Sequence, residues 1–227
     1  MVIIDNNQTM QPLSHPSNSQ FLHSHIGKSA HLHIIYYFRA MNEQHNPWKV
    51  LNAKEVYNNN WIQVTEFDVI NPSGGKGIYG KVHFKNLAIG VLPLDDELNT
   101  YLVGQYRFPL DKYSWEMPEG GGVMGVEPVE SAKRELLEET GLVAKEWTPI
   151  VTMHLSNSVS DEYSIIYLAR GLEQYEAQPE ETEQLQVRKV PFEEVYRMVE
   201  DGIITDSMTV TAIYKVKLML TDGRISS

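Results

Sequence analysis

The chain has 227 residues, of which 42% are hydrophobic and 22% are charged, a composition typical of a soluble globular protein with one main core. Its net charge of −11 makes broad binding to nucleic acid unfavourable, because an acidic surface repels a polyanion. The absence of cysteine excludes disulfides and thiolate metal sites and suits a cytoplasmic location. No apolar run approaches the roughly 20 residues of a membrane helix. We therefore expect neither a nucleic acid nor a membrane as partner.

The beginning of the chain differs in composition from the rest. Residues 1–40 hold five of the eight histidines and a single acidic residue, Asp5. The short apolar run over 31–38 is not followed by a small-residue cleavage site, which argues against a secretory signal. We predict three parts: a disordered or non-native tail over 1–44 with Met41 as candidate start, an N-terminal β-subdomain over 45–86, and a catalytic domain over 87–222.

The predicted N-terminal β-subdomain consists of three strands. Apolar and polar residues alternate over 49–56, 61–70 and 78–84, and turn-prone segments at 58–60 and 71–75 separate the strands. Three short strands alone form a marginal unit. We therefore expect them to pack on the rest of the chain or on a second copy of it.

The remainder of the chain mixes strands and helices without regular βαβ repetition, which predicts an α/β fold. We expect a glycine-rich loop after Met117 and an acidic loop over 173–183. The predicted strands cover 87–92, 100–106, 115–117, 148–154, 164–168 and 185–190, and the predicted helices cover 127–140, 192–200 and 207–220.

The helix predicted over 127–140 carries the chemistry. Pro128 suits a first helical position, and Gly141 suits the residue just past the helix end. Glu135, Glu138 and Glu139 stand at i, i+3 and i+4, so their carboxylates converge on one face. They repel one another unless a cation lies between them, and Mg²⁺ prefers carboxylate and phosphate oxygens. The alternative is a solvated acidic face.

The spacing within this segment favours a metal site. Gly120 is followed, after a spacer, by the run Arg134-Glu135-Leu136-Leu137-Glu138-Glu139-Thr140-Gly141-Leu142. Together they resemble the Nudix box, a specific motif with many fixed positions. The early glutamate of the box falls on Val126 here, and Glu127 stands one residue later.

Segments outside the box resemble the ADP-ribose pyrophosphatase branch of the Nudix hydrolases. They are Gln105-Tyr106-Arg107, Trp115-Glu116-Met117-Pro118, the loop over 156–162 and the acidic loop before Leu185. Asn157 stands where this branch often carries a proline that marks a preference for ADP-ribose.

The resemblance implies a fold, a reaction and an assembly. The fold would be an α/β/α sandwich around a mixed sheet, preceded by the N-terminal β-subdomain. The reaction would be Mg²⁺-dependent hydrolysis, with Mn²⁺ as an alternative ion, of a nucleoside diphosphate linked to another group. ADP-ribose or a sugar nucleotide would yield a nucleoside monophosphate and a sugar phosphate. The partner would be a small nucleotide, and the enzyme would be a homodimer.

The resemblance also implies roles for single residues. The metal ligands would be Glu135, Glu139 and the backbone carbonyl of Glu119. The catalytic residues would be Glu138, Glu183 and Arg134. Among these, Arg134 would orient the glutamates and Glu183 would activate water. Substrate would contact Arg107, Glu116 and Gly120. Alternatives for these residues are a structural Glu116, an ordinary surface ion pair for Arg107 and a solvated loop acid for Glu183.

Two other functions are compatible with the same box. A non-catalytic Nudix-fold nucleotide sensor typically loses box acids, whereas Glu135, Glu138 and Glu139 are all present here. A Nudix hydrolase of nucleoside triphosphates or capped RNA is the second alternative. The acidic composition and the N-terminal strands argue against RNA as substrate.

Overall fold

A computed structural model describes residues 45–175 and 185–226. The predicted tail over 1–44 and the proposed water-activating residue Glu183 lie outside these described residues. The described residues from Pro47 onward belong to one compact unit. In the part of the chain that is described, no helix is long and apolar enough to cross a membrane.

The N-terminal strands form an antiparallel sheet in the order β1-β2-β3. Asparagine side chains close both hairpins, since the Asn59 side-chain oxygen accepts from the amide of Ile62 and that of Asn71 accepts from the amide of Gly75. Every residue of β1 is exposed. The bounds are β1 Lys49–Asn58, β2 Ile62–Ile70 and β3 Lys76–Phe84.

A mixed sheet of four strands lies at the centre of the fold, in the order β7-β4-β9-β8. Strands β4 and β9 are parallel, and the other neighbours are antiparallel. Its strands are β4 Leu87–Pro93, β7 Glu119–Gly122, β8 Leu142–His154 and β9 Tyr163–Gln174. A further antiparallel sheet, in the order β10-β5-β6, is formed by β5 Asn99–Arg107, β6 Lys112–Glu116 and β10 Gln186–Pro191.

Helices cover both faces of the mixed sheet because β4 alternates its side chains between two cores. Ile89 and Val91 pack towards Leu136 of helix α1 (Pro128–Thr140), whereas Leu92 packs towards Ile213 of helix α3 (Ser207–Thr221) on the opposite face. The α/β/α sandwich around a mixed sheet is therefore confirmed. The helices are α1 Pro128–Thr140, α2 Phe192–Glu200 and α3 Ser207–Thr221.

The predicted glycine-rich loop is wrong in part, because Glu119–Gly122 forms strand β7. This strand pairs with β4 in a register that sets Gly120 opposite Ile89. Glycine weakens strand propensity, but the tertiary pairing overrides it. Strands β8 and β9 also extend well beyond the predicted segments, since they pair as one long antiparallel ribbon.

The loop between β8 and β9 is fastened to β3 through Asp161. Its carboxylate contacts Lys81 Nζ at 2.7 Å and His83 Nδ1 at 2.8 Å, and it accepts from the amide of Phe84 at 3.0 Å. Burial works against ionisation, but these partners outweigh it and lower the pKa of Asp161 to about 2. The loop is therefore held by a charged group at neutral pH.

Candidate active site

Helix α1 turns two glutamates towards strand β7. The helix begins at Pro128 and ends before Gly141, whose φ of 72° is readily adopted only by a residue without a side chain. Leu136 is fully buried against the mixed sheet and fixes the rotation of the helix. Glu135 and Glu139, on the adjoining face, are 8% and 4% exposed, so the acidic face of this helix is buried rather than solvated.

The Glu135 carboxylate lies directly against the backbone of Gly120. A Cβ atom at position 120 would lie 2.2 Å from the Glu135 carboxyl carbon, closer than any real contact allows. Glycine is therefore required here so that the carboxylate can approach the strand.

The Glu139 carboxylate is held one residue earlier on the same strand. It accepts a hydrogen bond of 3.0 Å from the backbone amide of Glu119. Two buried carboxylates of α1 thus meet the backbone of β7 at neighbouring positions.

Arg134 joins the helix to the strand. Its guanidinium donates to Glu138 at 2.6 Å and to the carbonyl of Gly121 at 2.9 Å, and it pairs with Glu135. Burial opposes its charge, but the two glutamates raise the pKa of Arg134 above its usual value. The arginine therefore stays charged and orients both carboxylates.

A second charged cluster lies beside the first. Arg107 Nε donates to both carboxylate oxygens of Glu116, at 3.1 and 3.0 Å, and its Nη2 contacts Glu119 Oε1 at 2.6 Å. Asp206, at the N-terminus of α3, acts on Arg107 and Glu119 through its charge. One arginine thus faces three carboxyl groups.

The carboxyls of this cluster titrate in opposite directions. Burial opposes ionisation of Glu116, but its bonds to Arg107 dominate and hold its pKa below the usual value. Burial, together with the charges of Asp206 and Glu116, raises the pKa of Glu119 well above the usual value. Arg107 therefore keeps Glu116 ionised, whereas burial favours the neutral form of Glu119.

A cavity of about 310 Å³ opens beside these groups. Its lining includes the backbone of β7 at Gly120, the apolar side chains of Trp61 and Phe84, and Arg107, which is the one cation among the described lining residues. Its acidic members are Glu119, Glu162 and Asp206. The cavity thus combines apolar walls with a few polar groups, as small-molecule sites commonly do.

The structure groups the predicted site residues in two clusters. The first cluster lies where α1 contacts β7 and consists of Arg134, Glu135, Glu138, Glu139 and Gly120. Arg107 and Glu116, both predicted to contact substrate, bind each other, and Glu119 links the two clusters.

Sequence reasoning missed Asp206 and Glu162, which both line the cavity. Asp206 accepts from the amide of Thr209 as the N-cap of α3, so an aspartate before a predicted helix was its one sequence signal. Glu162 ends the segment 156–162, and the resemblance of that segment to the ADP-ribose pyrophosphatase branch was its sequence signal.

The residues present fit a divalent cation. In the described ranges, no three His, Asp or Glu side chains lie close enough together to hold an ion by themselves. The expected ligand set differs, because it combines Glu135 and Glu139 with the backbone carbonyl of Glu119. Hard oxygen donors suit Mg²⁺. Within the described chain, the buried Oε2 of Glu119 also lacks a hydrogen-bond partner.

Comparison with known proteins agrees with this arrangement. The family model of the NUDIX domain matches residues 84–206, and that of the nucleoside diphosphate sugar hydrolase N-terminal domain matches residues 48–82. The chain is 32% identical over 172 residues to the ADP-ribose pyrophosphatase of Bacillus subtilis (strain 168), covering 75% of this chain and 92% of that protein.

Two further proteins are similar. The ADP-ribose pyrophosphatase of Mycobacterium tuberculosis (strain ATCC 25618 / H37Rv) is 34% identical over 138 residues, which cover 59% of this chain and 66% of that protein. The crystal structure of an ADP compounds hydrolase has the same fold, with a TM-score of 0.71 at 22% identity, over 81% of this chain and 100% of that one. By its sequence, its fold and the arrangement of its box residues, the chain belongs to the Nudix family of hydrolases.

Proposed function

We propose that this Nudix hydrolase uses Mg²⁺, with Mn²⁺ as an alternative, to cleave the diphosphate of a nucleoside diphosphate linked to a sugar. ADP-ribose or a related sugar nucleotide is the substrate, and the products are a nucleoside monophosphate and a sugar phosphate. The observation that carries the proposal is the burial of Glu135 and Glu139 against the backbone of β7, beside a cavity whose cation is Arg107. Nudix hydrolases generally act on small nucleotides with divalent cations.

In this proposal the cation is held by Glu135, Glu139 and the carbonyl oxygen of Glu119. A bound divalent ion lowers the pKa of the attacking water and offsets charge that develops on the phosphate oxygens. Arg134 keeps Glu135 and Glu138 in place through its ion pairs. Glu183, which precedes β10 in the sequence, takes the proton of the attacking water.

Arg107 binds the phosphate oxygens of the substrate. Its planar fork matches two oxygens at once, which a point charge does not. Glu116 is 3% exposed and holds the guanidinium by two hydrogen bonds, so it acts on the substrate through the orientation of Arg107. The backbone of Gly120 forms the wall of the cavity next to this arginine.

The relatives support a diphosphate bearing a sugar. Two similar proteins are named ADP-ribose pyrophosphatase, and the N-terminal match is to a domain of nucleoside diphosphate sugar hydrolases. A sensor is less well supported, because Glu135, Glu138 and Glu139 are all present. A net charge of −11 weighs against capped RNA.

We further propose that residues 45–86 form a subdomain that docks on a second copy of the chain. Val50 of β1 and Ile78 of β3 are 62% and 70% exposed, and they lie on opposite faces of the sheet because their β2 partners, Val69 and Asp68, are adjacent. Exposed apolar side chains of this kind are typical of a surface that binds a partner. Further exposed apolar residues on the same sheet are Leu51, Val56, Tyr57 and Tyr79. A homodimer would cover one of these faces with the same face of its partner.

We predict that Glu139→Gln lowers kcat by at least ~100-fold while the protein stays folded, because it removes one charged ligand. The same variant should bind Mn²⁺ more weakly in titration calorimetry. Glu130→Gln is the matched control on the same helix, since Glu130 is exposed and pairs with Lys133. Turnover of folded Glu139→Gln close to that of the control would contradict the metal assignment.

We predict that ADP-ribose or another sugar nucleotide gives a higher kcat/KM than any nucleoside triphosphate, dinucleoside polyphosphate or capped RNA in a purified-enzyme panel. Arg107→Ala should raise KM more than it lowers kcat, since it removes a phosphate-binding group. Arg188→Ala is the control, because Arg188 stacks on Trp115 outside the cavity. A triphosphate at the top of the panel would refute the substrate class, and an absence of all turnover would favour a sensor.

We predict a homodimer in light scattering that Ile78→Lys converts to a monomer, because a charge at this exposed apolar position opposes its burial in an interface. Ser73→Lys adds the same charge in the β2–β3 turn and should leave the dimer intact. A wild-type monomer at tens of micromolar would exclude this interface.

A further inference from the structure

The guanidinium of Arg107 is already bound by two side chains of the protein itself. A guanidinium has five N–H donors, one on Nε and two on each of Nη1 and Nη2. Glu116 accepts from Nε at 3.0 and 3.1 Å and also from Nη2, so it occupies the edge of the group that these two nitrogens form. Glu119 Oε1 accepts from Nη2 at 2.6 Å. Both hydrogens of Nη2 are therefore in use, whereas no described residue accepts a hydrogen bond from Nη1.

A phosphate that approaches Arg107 therefore meets an occupied donor. Two phosphate oxygens bind an arginine together when two parallel N–H groups point at them. Glu116 holds the edge formed by Nε and Nη2, which leaves the edge formed by Nη1 and Nη2 for a phosphate. Glu119 holds the Nη2 donor of this second edge. While Glu119 stays in place, a phosphate can use only Nη1.

The Glu119 side chain is held by few contacts, although its backbone is fixed. Strand pairing with Gly90 and the hydrogen bond from its amide to Glu139 hold the main chain. The side-chain Oε2, by contrast, is buried and lacks a hydrogen-bond partner in the described chain. Because a buried acceptor without a donor is unfavourable, the side chain loses little beyond its bond to Arg107 when it rotates away.

A second cavity, of about 340 Å³, offers space for the displaced side chain. It shares Arg107, Glu119 and Asp206 with the first cavity. Hydroxyl groups donate hydrogen bonds to a carboxyl, and Oε2 of Glu119 has no such donor where it lies. The hydroxyl-bearing residues in the lining of the second cavity are Ser114, Thr205 and Ser207.

We propose that the Glu119 side chain competes with the phosphates of the nucleotide for Arg107 and is displaced into the second cavity when the nucleotide binds. The inference rests on the proposed function for the identity of the nucleotide, but the competition acts on any diphosphate that reaches Arg107. Glu119 thereby lowers the affinity of the site for phosphate. It also favours release of the product, because its carboxyl returns to Nη2 as the phosphate leaves.

The test is a double-mutant cycle on the full-length chain, with ADP as the probe and EDTA present. ADP carries a diphosphate without an attached sugar, and EDTA removes any contribution of a metal ion to binding. Titration calorimetry gives the dissociation constant of ADP for the wild type, Glu119→Ala, Arg107→Ala and the double variant. Glu119→Gln is the matched control, because it keeps an oxygen acceptor for Nη2. Glu119→Asp keeps the carboxyl but withdraws it by one methylene group.

We expect Glu119→Ala to lower the dissociation constant of ADP by about 3- to 10-fold, since one donor of Arg107 becomes free. The same change in the Arg107→Ala background should have an effect of less than about twofold, because the donor in question is absent. Glu119→Asp should also tighten binding, whereas Glu119→Gln should stay close to the wild type. The melting temperature of Glu119→Ala should not fall, because the variant removes a buried acceptor without a partner.

Other outcomes overturn the inference. Weaker binding of ADP by Glu119→Ala would mean that the carboxyl supports the phosphate site instead of competing for it. An equal gain from Glu119→Gln, or in the Arg107→Ala background, would trace the effect to general charge repulsion. If Glu119→Ala does not fold, Glu119→Asp decides in the same way.

The proposed function fails separately from this inference. Tighter binding of ADP by Glu119→Ala, in an enzyme whose wild type hydrolyses no sugar nucleotide, would support the competition at Arg107 and refute the proposed function.

Discussion

The site depends on the close approach of the Glu135 carboxylate to the backbone of Gly120. This contact sets the distance between α1 and β7, and it leaves no room for a side chain at position 120. The hydrogen bond from the Glu119 amide to Glu139 repeats the contact one residue earlier. Pairing of β7 with β4 holds the strand, and the burial of Leu136 holds the helix. The two carboxylates are therefore placed by the packing of the whole sandwich.

The charge balance of the site follows from this packing. Burying several carboxylates is unfavourable unless they are paired, and Arg134 and Arg107 supply the pairs that the protein itself offers. The raised pKa values of Glu119 and Glu162 show that burial disfavours the charged form of both carboxyl groups. A divalent cation between Glu135 and Glu139 would offset the cost of burying these two carboxylates.

Local sequence patterns predicted the helices well but only part of the site. Proline at the start and glycine at the end fixed the bounds of α1, and its box spacing identified Glu135 and Glu139. Strand β7 was missed because its pairing with β4 is a tertiary effect that glycine composition hides. Asp206 and Glu162 were missed because each reaches the cavity through long-range packing, Glu162 through the docking of its loop on Val82. Spacing along the chain does not contain that information.

The claim that the Glu135 contact with Gly120 builds the metal site is tested most directly by Gly120→Ala. Gly121→Ala is the matched control, because a Cβ there would lie 3.3 Å from Asn86 Nδ2, whose side chain can shift. Mn²⁺ binding to both folded variants would be measured by titration calorimetry. We expect Gly120→Ala to weaken Mn²⁺ binding at least ~10-fold, whereas Gly121→Ala should stay close to the wild type. Equal Mn²⁺ affinity in folded Gly120→Ala and the wild type would contradict it.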